Sequence, residues 1–307
     1  MNQQDPFGEK RLCLKANLHM HTTGSDGKFT AQEITDLYAN HGYDVLAFTD
    51  HRVAAQLDDV NPRDMVFIPG MEIHPAGPRN IMLHFVALDL PSDFVNPDSL
   101  SWRQCLDAVH AAGGKSILAH PHWCGLNTAE IYELLETGCF LGMEVYNTST
   151  RYVGKQFNMC LWDNVLDLGI KAPAIAVDDT HRPCELFHGW TVICARERTR
   201  ASVMEALSEG AFYSSMGPVF HKIEFKERCL SVECSPVEEL LFVMNKAAGR
   251  CGHTCNIDAC VRDGEYIPGV QKTVTSFSAE IPDGVKYVRC QIKDGAGKYA
   301  WTNPFYL

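Results

Sequence analysis

The 307-residue chain is 46% hydrophobic and 21% charged, the balance of a globular protein with room for one large domain or a large and a small one. Its formal charge of -11 weighs against unaided binding to a polyanion, which depends on Lys and Arg neutralising phosphates. An anionic small substrate stays open, because bound cations reverse the field of an acidic site. The start, Met1 to Lys10, is polar, and no apolar run reaches the length of about 18 residues that a membrane span needs. The expectation is a cytoplasmic protein without a membrane or nucleic-acid partner. The 13 cysteines are scattered and odd in number, and read as free thiols in a reducing compartment.

In chain order, short apolar runs predict strands over Leu12–Leu18, Val45–Thr49, Val66–Pro69, Ile81–Leu88, Ser116–Ala119, Gly142–Tyr146, Ala174–Val177 and Thr191–Ala195. Helical patterns fall between many of them. Thr30–His41 opens on Thr30 with Glu33 three residues on, a capping box, and Ser101–Ala112, Thr128–Leu135, Gln156–Leu168 and Arg200–Ser208 follow. Such alternation favours an α/β fold with a parallel sheet or barrel over residues 1–216. From Gly217 to the end, strand-like runs (Lys222–Phe225, Leu230–Glu233, Glu239–Met244, Thr273–Ile281 and Lys286–Lys293) alternate with Gly, Asp and Pro. Asp294-Gly295 with Ala296-Gly297 is a hairpin signal. Residues 217–307 are thus expected to form a small, sandwich-like, all-β domain.

The chemistry lies where the predicted strands end. His19 and His21 are two residues apart after the first strand, so an extended backbone turns both imidazoles to one side. The second strand ends in Asp50-His51, the third in Glu72, and the fourth carries His84. The fifth ends in His120-Pro121-His122, and the seventh runs through Asp178 into Asp179-Thr180-His181. Polar ligand types following apolar strands are placed at the C-terminal rim of a barrel, where barrel active sites sit. Nitrogen and carboxylate ligands without cysteine suit Zn, Mn or Fe(II), and the set is enough for two or three divalent ions. Clustered cations supply hydroxide near neutral pH from a bridging water, and Glu72 is the natural shared carboxylate. Hydrolysis is the reaction class.

These motifs resemble the PHP (polymerase and histidinol phosphatase) superfamily of metallohydrolases, from about Lys15 to Met216. The resemblance is carried by Leu18-His-Met-His21, Ser25-Asp26-Gly27, Thr49-Asp-His51, Gly70-Met-Glu72, His84, Ala119-His-Pro121 and Asp179-Thr-His181. It implies a distorted (β/α)7 barrel with a trinuclear site. His19, His21, Glu72 and Asp179 would hold one ion, Glu72, His84 and His120 a second, and Asp26, His51 and His181 a third. The tail, through Gly210-Ala-Phe-Tyr213, Gly217-Pro218 and Ala300-Trp-Thr-Asn-Pro304, resembles the β-domain of bacterial PHP phosphoesterase-like proteins and of the carbaryl-hydrolase-like branch.

Beside the ligands, Arg182 and Arg151 are the candidate phosphate grips, with Arg52 a third, since Arg binds phosphate in a bidentate manner. His122 is the candidate general acid or substrate contact. Asp50 is expected to support a ligand such as His51, and Glu144 and Asn147 to line the rim. Cys251, Cys255, Cys260 and His253 fit no common zinc-site spacing and read as buried thiols. The expected function is a phosphoesterase that turns a metal-bridging hydroxide on a small phosphorylated metabolite. A carbamate or carboxylic-ester hydrolase of the same superfamily is the alternative, and a non-enzymatic metal- or carbohydrate-binding protein a further one.

Overall fold

A computed structural model describes residues 5–252, 261–262, 265–266 and 273–307. His253, Cys255 and Cys260 lie outside the described residues. Seven strands stand side by side in chain order: β1 (Leu12–Asn17), β2 (Val45–Phe48), β3 (Val66–Ile73), β4 (Phe85–Leu88), β5 (Lys115–Leu118), β6 (Phe140–Asn147) and β7 (Ala174–Val177). Helices α1 (Ala31–Asn40), α2 (Trp102–Ala111), α3 (Pro121–Cys124), α4 (Thr128–Leu135) and α5 (Met159–Asp167) fall between them. The capping box forms at α1, where Thr30 Oγ1 accepts from Glu33 N at 3.2 Å and Glu33 Oε2 accepts from Thr30 N at 2.8 Å. That cap contributes on the order of 1 kcal/mol.

The fold is mixed α/β around one large sheet. Neighbours pair in parallel at β1–β2, β2–β3, β5–β6 and β6–β7. Strand β4 runs antiparallel to both its neighbours, so the sheet is not uniformly parallel. Strands β2, β4 and β7 are buried on both faces, which explains their unbroken apolar runs. Leu14, Ala16, Val45, Ala47, Ile68, Val86, Ile117, Ile175 and Val177 pack into one cluster between the strands. With that space filled by apolar groups, polar side chains collect where the strands end. There the chain after β7 returns beside the chain after β1: Asp179 N donates to His19 O and His21 N to Thr180 O, each at 2.9 Å.

Beyond β7, β8 (Trp190–Ala195) pairs antiparallel with β1. Helix α6 (Arg200–Glu209) leads to β9 (Phe212–Ser215), antiparallel to β8. The described residues past Gly217 form strands only: β10 (Phe220–Lys226), β11 (Cys229–Val237), β12 (Glu239–Met244), β13 (Gly249–Cys251), β14 (Val261–Arg262), β15 (Glu265–Tyr266), β16 (Val274–Glu280), β17 (Tyr287–Lys293), β18 (Tyr299–Thr302) and β19 (Phe305–Tyr306). They do not stand apart from the first part of the chain. Strand β18 pairs with β9, and β17, β12 and β13 follow, so the tail lengthens the main sheet. Strands β10, β11 and β16 make a second sheet, sharing an apolar layer of Phe220, Leu230 and Val232 with Leu240, Phe242 and Ile292.

The tail is also pinned by charge. Arg289 on β17 is 2% exposed, forks onto both carboxylate oxygens of Asp163 on α5 at 2.7 and 2.8 Å, and lies 4.6 Å over the Trp162 ring. Arg289→Met is expected to cost about 2 kcal/mol in urea unfolding, less than the roughly 3–5 kcal/mol of a fully buried pair because water reaches Asp163. A variant as stable as the wild type would remove this anchor from the account.

The ten described cysteines assigned are free thiols. No described helix is long and apolar enough to cross a membrane.

Candidate metal centre

Residues from six strand ends converge on Glu72. It is the penultimate residue of β3, and its carboxylate is almost fully enclosed. Oε1 lies 2.7 Å from His84 Nδ1 and 3.2 Å from His120 Nε2. Oε2 lies 3.4 Å from both His19 Nε2 and His21 Nε2. Asp179 Oδ1 completes that second group, at 3.3 Å from His19 Nε2 and 3.1 Å from His21 Nε2. A third group gathers on Asp26 Oδ1, with His51 Nε2 and His181 Nε2 each at 3.5 Å and His21 Nδ1 at 3.9 Å. All nine residues expected as ligands therefore fall into one continuous cluster.

The arrangement fits bound cations better than a hydrogen-bonded network. Glu72 Oε2 has four imidazole nitrogens within 3.4 Å, yet among the described residues no hydrogen-bond partner of acceptable geometry. His21 Nδ1 and His84 Nε2 are likewise buried and unpartnered. Lone pairs that approach one another without a shared hydrogen suit a common positive centre. Ligands about 2.1 Å from one ion stand roughly 3.0–3.4 Å from each other, which is the spacing found here.

Electrostatics agree. Burial opposes the charge of Glu72, but His19 and His84 outweigh it and hold the carboxyl well below its usual range. Burial pushes His21 and His84 down to about 4, leaving neutral imidazoles able to ligate. Burial also opposes a charge on His19, yet Asp179, Glu72 and Glu144 raise its pKa well above the ordinary value. So many carboxylates around one imidazole mark a site that seeks cations.

The backbone is shaped to present these groups. His120 (φ 22) and Asp179 (φ 51) both lie in the left-handed region, an unfavourable conformation for residues with a Cβ. Gly27 follows Asp26 where a Cβ would stand 2.4 Å from His21 O, so only glycine lets that loop fold against the His19–His21 segment. Asp50 secures the same loop. Its Oδ1 accepts from Thr22 N at 2.8 Å and Ser25 Oγ at 2.6 Å, and its Oδ2 from Thr22 Oγ1 at 2.6 Å. Asp50 thus places the Asp26 segment, instead of supporting His51.

Glu144 and Asn147 hold ligands from behind. Glu144 Oε1 is 2.7 Å from His19 Nδ1, and its Oε2 accepts from His120 N and from Asn147 Nδ2, each at 2.8 Å. Asn147 Nδ2 also donates to Asp179 Oδ2 at 3.0 Å.

A pocket of about 230 Å³ opens over the cluster, lined by ligands together with Trp123, Ser149, Thr150, Tyr152 and Arg182. Arg182 lies where expected, its guanidinium 5.0 Å over the Tyr152 ring and its Nε 3.3 Å from Glu185 Oε1. Three expectations need correcting. Pro121 starts helix α3 directly after His120, so the i, i+2 alternation of a strand is lost there. His122 is exposed and outside the pocket lining, and Trp123 faces the pocket beside the rings of His84 and His120. Arg151 is also outside the lining, because its guanidinium donates to Cys184 O. Arg52 pairs with Asp98 and is absent from the lining as well.

His74 was not foreseen. It follows β3, two residues after Glu72, with Nε2 2.9 Å from His51 Nδ1 and 3.4 Å from Glu72 Oε2.

No family model and no curated protein matches the chain. Among solved structures, it is similar to a two-domain protein containing a predicted PHP-like metal-dependent phosphoesterase from Bacteroides vulgatus, with 17% identity, 100% of this chain and 98% of that chain covered, and a TM-score of 0.55. An amidohydrolase from Chromobacterium violaceum shares 16% identity over 64% of this chain and 96% of that chain, with a TM-score of 0.46. The full-length likeness is one of fold, and it matches the PHP reading of the motifs: the chain has a PHP-like fold.

Proposed function

We propose that the chain is a metal-dependent phosphoesterase whose distorted (β/α)7 barrel holds up to three divalent ions and cleaves a small phosphorylated metabolite. The observation that carries this reading is Glu72, whose two oxygens face two different sets of imidazoles, Oε1 toward His84 and His120 and Oε2 toward His19 and His21, with Oε2 buried and left without a hydrogen-bond partner among the described residues. His19, His21, Glu72 and Asp179 would hold one ion, Glu72, His84 and His120 a second, and Asp26, His51 and His181 a third. Divalent ions there supply a water of lowered pKa and polarise the phosphoryl oxygens.

The chain's own residues do the rest. Glu144 and Asn147 fix the imidazole and carboxylate faces turned to the centre. Arg182, the one arginine lining the pocket among the described residues, offers a non-titrating fork to the phosphate oxygens. Ser149 and Thr150 line the pocket beside it, and Trp123 and Tyr152 form walls that suit the ester's organic part.

Elemental analysis with a phosphatase screen in Mn, Fe and Zn tests the reading. Two to three ions per chain and turnover of phosphomonoesters are expected. Fewer than two ions would sink it. Removing Arg182 as Arg182→Ala is expected to lower kcat/KM about 10- to 100-fold, the loss of one or two charge-assisted hydrogen bonds. Arg151→Ala is expected to stay within about threefold of wild type, since that side chain is turned away. Intact phosphatase activity in Arg182→Ala would overturn the phosphate grip.

A further inference from the structure

We propose that His74 is a positioning residue that keeps Glu72 Oε2 free for cations. The inference rests on the metal-centre reading above. His51 turns Nε2 toward Asp26 Oδ1, 3.5 Å away in the third ligand group, so ligation there leaves the ring hydrogen on Nδ1. Two acceptors stand near that hydrogen. Glu72 Oε2 is closer, at 2.7 Å, but the approach does not have hydrogen-bond geometry. His74 Nε2, at 2.9 Å, does have it.

The consequence is specific. His74 takes the N–H of His51, and Glu72 Oε2 keeps its lone pairs for the group it shares with His19, His21 and Asp179. Without an acceptor at position 74, the nearest oxygen for that N–H is Glu72 Oε2, which would face the first ion. A small rotation of the His51 ring would then close a hydrogen bond on it and compete with the cations.

His74 is held for this task. Its side chain is 5% exposed, its ring stacks on His84 with centroids 4.0 Å apart and planes 16° from parallel, and its backbone N donates to Asp98 Oδ1 at 2.8 Å. Arg52 grips the other oxygen of Asp98, so the segment after β3 is fixed from outside the pocket. Accepting from His51 places the hydrogen of a neutral His74 on its own Nδ1.

The test compares His74→Leu, which removes the acceptor, with His74→Gln, whose side-chain oxygen reaches about where Nε2 stands. Zinc and manganese affinities are measured against a chromophoric chelator, with elemental analysis after dialysis and thermal melts of the metal-free forms. Cation affinity is expected to fall about 10- to 100-fold in His74→Leu. In His74→Gln it is expected to remain near wild type, with the metal-free forms melting together. Equal affinity in all three proteins overturns the role of His74 and leaves the metal centre standing. Equal weakening in both variants also overturns it, because His74 would then act as a ligand or as packing. A wild-type chain without ions overturns the metal centre, and this inference with it.

Discussion

Replacing Glu72 by glutamine is expected to abolish turnover. The substitution keeps volume and shape but removes a negative charge that is present throughout the neutral range, since the surrounding imidazoles hold the carboxyl far below its usual value. It also puts an amide nitrogen, which carries hydrogens and no available lone pair, where one of the two shared oxygens stood. Either orientation of the amide damages one set: His84 and His120 on the Oε1 side, or His19 and His21 on the Oε2 side. Loss of several kcal/mol of transition-state charge stabilisation corresponds to a fall in kcat of roughly 10³-fold or more. At least one ion of the wild-type complement is expected to be lost in elemental analysis. The backbone N of Glu72 is bonded to Thr49 O and Asp50 O and keeps those bonds, so the variant is expected to fold. Full ion content with kcat within tenfold of wild type would show that Glu72 does not bridge.

Much of this centre was legible because most of the strand ends repeat one local pattern, apolar residues followed by a ligand type; His84 instead precedes β4, whose antiparallel direction brings that end to the same rim. The structure brings His19, His21, Glu72 and Asp179 together through pairing of the β1 and β7 ends, which is the geometry the pattern implies. His74 could have been found by the rule that marked His19 and His21, for it stands two residues from Glu72 in the same extended run. His122 was misplaced although Pro121 gave the signal for a helix start, and that turn hands the pocket position to Trp123. Arg151 illustrates a different limit. Its turn lines the pocket through Ser149, Thr150 and Tyr152, but the direction of its own side chain depends on Cys184 O in another loop, and sequence spacing carries no such information. The tail shows the same limit on a larger scale: its strands are local patterns, whereas the register of Ala300 and Trp301 against Ser215 and Ser214 is long-range.

Asp178→Ala is expected to destabilise the fold by roughly 3–5 kcal/mol, the cost of leaving a cluster of buried donors without their charged acceptor. Asp178 is adjacent to the ligand Asp179, but strand alternation turns it the other way. Its Oδ1 accepts from His188 N at 2.8 Å, Gly189 N at 2.9 Å and Thr148 Oγ1 at 3.2 Å. Its Oδ2 accepts from Phe187 N at 2.7 Å and Tyr38 Oη at 2.8 Å. Tyr38 Oη in turn accepts from Asn17 Nδ2 at 2.9 Å, and Asn17 Oδ1 accepts from Asp178 N at 3.0 Å. One carboxylate thereby joins α1, the ends of β1 and β7 and the loop before β8. Burial pushes its pKa up to about 6, against the pull of these donors. In a chain of this size the loss corresponds to a fall in melting temperature of roughly 10 °C. Asp178→Asn, with one acceptor oxygen and an amide facing other donors, is expected to fall between the two. The damage reaches the centre as well, because Asp179 occupies its left-handed conformation only while residues on both sides are fixed. Weaker cation binding is therefore expected to accompany the lower melting point, and a variant that melts with the wild type would show that the network is not what closes β1 against β7.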